Sequence, residues 1–158
     1  MEEVKETKGK ICITGGSGYL GSWMVMRLLQ LGYSVNTTIR FLKMKILNPL
    51  TLDRKRDLSC LTNLPGAQDR LRIFDADLDK PESFNPAIEG CIGVLHAAHQ
   101  IDFENKESEE TITQRSINGT LGILQACLNS KTVKRVVYTS SASTVVERHR
   151  SFKNLKAV

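Results

Sequence analysis

Lys10-Ile11-Cys12-Ile13-Thr14-Gly15-Gly16-Ser17-Gly18-Tyr19-Leu20-Gly21 is the stretch from which the fold can be read. A short apolar run ends in clustered glycines, as a buried parallel strand does when it delivers the chain into a tight loop. The glycines satisfy G-x-G-x-x-G at Gly16, Gly18 and Gly21, and equally G-x-x-G-x-x-G counted from Gly15. Beyond them Leu20, Trp23, Met24, Met26, Leu28 and Leu31 recur at mixed helical spacings, with Gly32 where a C-cap would lie, so the pattern predicts a helix over Tyr19–Leu31. Strand, glycine loop and helix in that order form the setting in which such a loop holds a dinucleotide pyrophosphate at a helix N-terminus. Glycines allow the tight turn and the close backbone approach. A purely structural turn needing positive φ would also use glycine, but it would not require this order. Gly15, Gly16, Ser17, Gly18, Tyr19, Leu20 and Gly21 are therefore the candidate cofactor loop.

Working outward, Tyr33–Ile39 is β-branched and alternating and reads as a second strand. Arg70–Phe74 and Ile92–His96 read as strands three and four, with a short helix opened by Asp79, Pro81 and Glu82 between them. Ile112, Ile117, Leu121, Leu124 and Leu128 mark a longer helix over Glu109–Leu128, and Lys134–Thr139 supplies strand five. Alternating strands and helices imply right-handed βαβ units and a parallel sheet. The expected fold is α/β, a doubly wound Rossmann-type sheet of order 3-2-1-4-5. One NAD(P)-binding domain would cover residues 8–146, with residues 147–158 as a basic tail.

Cofactor choice is set at the end of strand two, where NAD enzymes place an acid on the ribose 2′-hydroxyl. No Asp or Glu lies between Glu6 and Asp53, and Arg40 stands at the strand tip. A guanidinium suits a 2′-phosphate, so NADPH is expected rather than NADH. Arg54, Lys55 and Arg56 would add phosphate contacts or form a solvated basic helix start.

At 158 residues the chain has room for one domain, and 41% apolar with 25% charged residues excludes a disordered tail and a disulfide mini-protein. Net charge is +5, but segments 41–52 and 147–158 carry all of the excess, and no aromatic residues interleave with them. Nucleic-acid binding is not expected. The uncharged run Ile11–Met26 is too short and too rich in glycine to span a bilayer, and the acidic N-terminus lacks a signal-type apolar region. A cytoplasmic address without membrane attachment follows as the expectation. Cys12, Cys60, Cys91 and Cys127 form no C-x-x-C pair and read as reduced, mostly buried thiols. His96 and His99 with Asp102 suggest a metal triad only superficially: on a strand and its following loop, their spacing does not put two imidazoles on one face, so no metal is expected.

Taken together, Thr14–Trp23, Asn36–Arg40, Asp77-Leu78, Ile101–Phe103, Asn118–Leu124 and Tyr138–Ala142 resemble plant dihydroflavonol 4-reductase-like enzymes, which are extended short-chain dehydrogenase/reductases. Leu61–Ala67 and Asn129–Arg135 look most similar to the isoflavonoid branch, the vestitone reductases. The likeness covers roughly residues 8–40 and 53–145. It implies NADPH-dependent reduction of a flavonoid-type ketone. By position it implies that Gly15, Gly18 and Gly21 hold the pyrophosphate, Arg40 and Arg56 the 2′-phosphate, and Asp77 with Leu78 the adenine. Ala97 and Ala98 would lie along the cofactor, and Ser141 would be the catalytic serine that hydrogen-bonds the substrate carbonyl; Ser140 beside it reads equally as a capping serine.

The resemblance also implies a Tyr-x-x-x-Lys pair for the acid chemistry. None of Tyr19, Tyr33 and Tyr138 has a lysine four residues on. Residues 41–52 are longer than the family's usual turn, His99-Gln100 replaces its Thr/Ser-Pro, and Glu147–Val158 matches no family pattern. The expectation is a chain truncated before the substrate-binding part, of splice or gene-model origin and inactive alone; a non-catalytic NADP-binding or interaction module is the alternative. If strand five is last, its edge bearing Val136, Val137 and Tyr138 is left open and invites self-association.

Overall fold

The structure, a computed structural model, describes residues 7–40, 58–99 and 108–141. Segment 41–52, Arg56, Asp102 and the basic tail lie outside them. Five strands form one sheet in the order β3-β2-β1-β4-β5, all parallel: β1 is Lys10–Thr14, β2 Ser34–Ile39, β3 Leu71–Asp75, β4 Gly93–His96 and β5 Arg135–Tyr138. This is the expected order, and each strand lies within a residue or two of its predicted bounds. β1 is central, pairing Ile13 with Thr37 on one side and with Leu95 on the other.

Both faces of β1 are covered, which is why it reads as a continuous apolar run. Ile13 packs with Val25, Leu29, Val35, Leu61 and Ala67 beneath α1 (Tyr19–Gln30). Cys12 joins the opposite cluster with Phe84, Ile88, Cys91, Val94 and Ile123. That second layer is a 3-10 turn (Pro81–Phe84), α4 (Asn85–Ile88) and the long α5 (Glu109–Ser130), whose first turn is capped by Ser108 accepting from the Thr111 amide at 3.3 Å. Buried Asn36 is satisfied by donating to the Ala87 carbonyl at 2.8 Å, tying β2 to α4.

Two local features add to the sequence reading and one reading changes. The inward ridge of α1 is Gly21, Val25 and Leu29, whereas Leu20 and Trp23 from the apolar series are exposed. That series mixed two faces of the helix, because the glycine that opens the true ridge carries no hydrophobic signal. Between β2 and β3, α2 (Ser59–Thr62) and α3 (Ala67–Arg70) are single turns, too short to show periodicity. Arg70 closes α3 instead of opening the strand, and its Nη1 donates to the Leu29 carbonyl at 2.8 Å and the Tyr33 carbonyl at 3.3 Å. It thereby caps the C-terminal end of α1, where carbonyls lack helical partners.

Three cysteines are buried and Cys60 alone is exposed. Burial pushes the Cys91 thiol up to about 11 and raises those of Cys12 and Cys127, so all three are poor nucleophiles at neutral pH. Maleimide should therefore label one thiol in the native chain, at Cys60, and four after denaturation. Intact mass and peptide mapping check this; native labelling at Cys91 would contradict the packing.

α5 is apolar on two opposite sides. Ile123, Ala126 and Cys127 are buried against the sheet, while Ile117, Leu121, Leu124 and Leu128 form an outward stripe. Among the described residues nothing covers that stripe, nor the outer edge of β5.

Candidate functional site

In a parallel sheet whose order reverses at its first strand, crossovers leave a crevice beyond the carboxyl ends of the strands at the switch point. Here the chain leaves β1 for β2 on one side and later returns to β4 on the other, so the crevice opens after Thr14 and His96. It holds an open cleft of about 310 Å³, within the range of small-ligand sites. Its walls come from four segments that follow strands: the glycine loop, the end of β2, Ala76 and Leu78 after β3, and Ala97–His99 after β4. Phe84, buried among the core residues, forms its floor.

The glycine loop is locked from beneath. The amides of Gly15 and Gly16 both donate to the Thr38 carbonyl, at 3.0 and 2.9 Å, and the Gly18 amide donates back to the Gly15 carbonyl at 3.0 Å. Gly15 has φ +77, and a Cβ there would lie 2.9 Å from the Ala98 Cα. A Cβ on Gly16 would meet the Thr37 hydroxyl, and one on Gly21 would meet the Gly15 carbonyl oxygen. Because Gly15 and Gly16 spend their amides on β2, free donors for an anion must come from the first turn of α1. Its amides at Tyr19, Leu20 and Gly21 have no intrahelical acceptor by construction. No acidic side chain occupies that turn, so the positive end of the helix dipole is not offset.

The rim carries the charge. Arg40 lines the cleft at the tip of β2, and its Nη1 lies 4.0 Å from Asp77 Oδ1, with both side chains partly solvated. Such a pair contributes no more than about 1 kcal/mol. The Asp77 loop is itself rigid: Ser83 Oγ accepts from the Asp77 amide at 2.9 Å and donates to the Lys80 carbonyl at 2.6 Å. Leu78 is pressed onto α5, where a Cβ at Gly119 would come within 3.2 Å of it and one at Gly122 would fall on Pro81.

Residues 12–155 match the model of the 3-beta hydroxysteroid dehydrogenase/isomerase family. The chain belongs to that family. This places it among the extended short-chain dehydrogenase/reductases, as the motifs implied. The chain is 57% identical over 140 residues to vestitone reductase of Medicago sativa, which covers 89% of the chain and 40% of that enzyme. It is 47% identical over 158 residues to noscapine synthase SDR1 of Papaver somniferum and 44% identical over 138 residues to dihydroflavonol 4-reductase of Hordeum vulgare. These alignments cover 100% and 87% of the chain, and 42% and 36% of the two enzymes. The crystal structure of the alfalfa vestitone reductase superimposes with a TM-score of 0.69 at 52% identity, over 86% of this chain and 37% of that one. The chain thus spans well under half the length of these relatives.

Of the site residues read from the sequence, this member of the 3-beta hydroxysteroid dehydrogenase/isomerase family brings Gly15, Ser17, Gly18, Arg40, Leu78, Ala97 and Ala98 together on one cleft. Asp77 stands at its rim beside Arg40. Gly16 and Gly21 shape the loop from behind, while Tyr19 is almost fully exposed and Leu20 half-exposed beside it. Ser141 is exposed and follows β5, outside the cleft lining. The cleft also uses Thr38, Ile39, Ala76, Phe84 and His99, which were not among the site residues read from the sequence. Thr38 could have been suspected as the last polar residue before the strand tip; Phe84 carries no local signal. His96 is buried, and its Nδ1 lies 2.8 Å from the Thr14 hydroxyl, so this imidazole is engaged within the sheet. Burial, with His99 second, lowers its pKa from an ordinary 6.5 to about 4. No described helix is long and apolar enough to cross a membrane.

Proposed function

We propose that the chain is an NADPH-binding Rossmann domain over residues 8–146, of a reductase acting on a flavonoid- or isoflavonoid-type ketone. The observation that carries this reading is one cleft at the sheet's switch point, walled by the glycine loop that leads into α1 and with Arg40 at its rim. In this reading Gly15 to Gly21 receive the pyrophosphate, Arg40 and Arg56 the 2′-phosphate, Asp77 and Leu78 the adenine, and Ala97 and Ala98 the remaining length of the cofactor. The glycine loop, the acid-free first turn of α1 and Arg40 suit that group's phosphates, and the cofactor would supply the hydride. Ser141 is the residue that would hold the ketone oxygen. Vestitone reductase and dihydroflavonol 4-reductase among the relatives support the substrate class. The missing Tyr-x-x-x-Lys pair favours a second reading for this chain by itself, a non-catalytic NADP-binding module. A cytoplasmic location suits either.

The test is nucleotide affinity. A charge-assisted contact contributes about 1.5–3 kcal/mol, so NADPH should bind about ten- to a hundredfold more tightly than NADH, and Arg40→Glu should erase the difference. Titration by fluorescence decides it, and equal affinities in the unsubstituted chain would refute the cofactor assignment. Excess NADPH should raise the melting temperature by selective binding to the folded state. No ketone-dependent NADPH oxidation is expected, since absence of the general acid alone removes about 10²–10⁴ of rate; turnover lost in Ser141→Ala would overturn the inactive reading.

A further inference from the structure

Thr14 ends β1 and His96 ends β4, and they pair in register at the lip of the cleft. The Thr14 hydroxyl oxygen accepts from two backbone amides, Ala97 at 3.2 Å and Ala98 at 3.0 Å. A hydroxyl has one proton to give, and with both lone pairs used by those amides it must donate that proton to His96 Nδ1, 2.8 Å away. His96 is thereby fixed as the neutral tautomer with its proton on Nε2. The two amides held this way belong to the segment that walls the cleft and meets Gly15, where there is no room for even a methyl group.

We propose that Thr14 and His96 are the positioning pair of the nucleotide cleft: the Thr14 hydroxyl, oriented by neutral His96, gathers the Ala97 and Ala98 amides and sets the wall against which the cofactor lies. This rests on reading the cleft as the NADPH site. Thr14 directly precedes the glycines and His96 lies far from them in sequence, and neither lines the cleft itself. A protonated His96 would present an N–H to the hydroxyl in place of an acceptor, and the hydroxyl could then no longer serve both amides and the ring. The groups facing the imidazole are the Thr14 hydroxyl from β1, the Tyr138 ring from β5 at 5.3 Å, and His99 from the loop after β4. Its burial and the neighbouring His99 both oppose protonation, so the pair stays intact well below neutral pH.

Nitrogen-15 NMR of the full chain reads the tautomer directly. We expect His96 as the Nε2–H form at pH 7, still neutral at pH 5.5, and perturbed when NADPH is added. In NADPH titrations of the same chain, Thr14→Val should weaken binding about tenfold while Thr14→Ser stays within about threefold. His96→Asn, whose side-chain oxygen can accept the threonine proton but cannot titrate, should retain affinity and flatten any loss on the acid side. Two results would overturn the pair with NADPH binding intact: an Nδ1–H tautomer or ordinary titration near pH 6.5, or a folded Thr14→Val chain that binds NADPH as the unsubstituted one does. The expected tautomer in a chain that binds no NADPH would instead overturn the cofactor reading, and with it the cleft role of the pair.

Discussion

Gly21→Ala is expected to lower the melting temperature by about 5 °C and to weaken nucleotide binding more than tenfold, although alanine is the better helix former. The propensity gain is about 1 kcal/mol. Against it, the new methyl would fall on the Gly15 carbonyl oxygen, a backbone atom that no rotamer change can move aside. Overpacking of this kind costs about 1–3 kcal/mol and here belongs at the upper end, at about 2–4 °C per kcal/mol for a domain of this size. The relief must come from the loop whose Gly15 and Gly16 amides are anchored on Thr38, so the site deforms along with the fold. Gly18→Ala is the control. A Cβ there stands 3.3 Å from the same oxygen and the residue has φ −78, so a smaller shift in both readouts is expected. Scanning calorimetry with NADPH titration compares them; an unchanged Gly21→Ala chain would show that α1 can slide away from the loop.

At micromolar concentration the isolated chain should sediment as more than a monomer, and Leu121→Glu with Leu128→Glu should return it to one. Leu121 and Leu128 are 57% and 73% exposed on the outward stripe of α5, which repeats Ile117, Leu121, Leu124 and Leu128 along one side. Contiguous apolar stripes of this kind are uncommon on solvated helices and mark surfaces that meet another apolar surface. Glutamates at such positions should change stability by about 0.5 kcal/mol or less, so a loss of association would not reflect unfolding. The open edge of β5 competes for the same role, with Val137 and Tyr138 about half-exposed there. Val137→Lys separates the two: dispersal by that substitution alone places the contact at the strand edge. A monodisperse unsubstituted monomer would overturn both.

The sheet was legible because polar residues or glycines flank the strands, and because burial leaves β1 as an apolar run while β2 is rich in β-branched residues. Arg40 was legible because a single charge at a strand tip stands out in a stretch without acids. The lining residue Phe84 and the pair Thr14–His96 were not, since their roles arise from contacts between segments far apart in sequence. The inward face of α1 was not legible for a related reason: its ridge starts on a glycine, and the apolar Leu20 and Trp23 beside it are exposed.

The central position of β1 has a consequence for synthesis. The strand emerges first, yet the Thr14–His96 contact that completes its second side joins residues 82 apart in sequence. At about 5–20 residues per second, a ribosome takes about 4–16 s to cover that interval. During it, β1 and β2 can pair, but one edge of β1 has no neighbour and Cys12, destined for a fully dry core, has no lid. Nascent chains ending before Gly93 are therefore the ones that chaperones should hold, and refolding from denaturant should be limited by the arrival of β4 at the centre of the sheet.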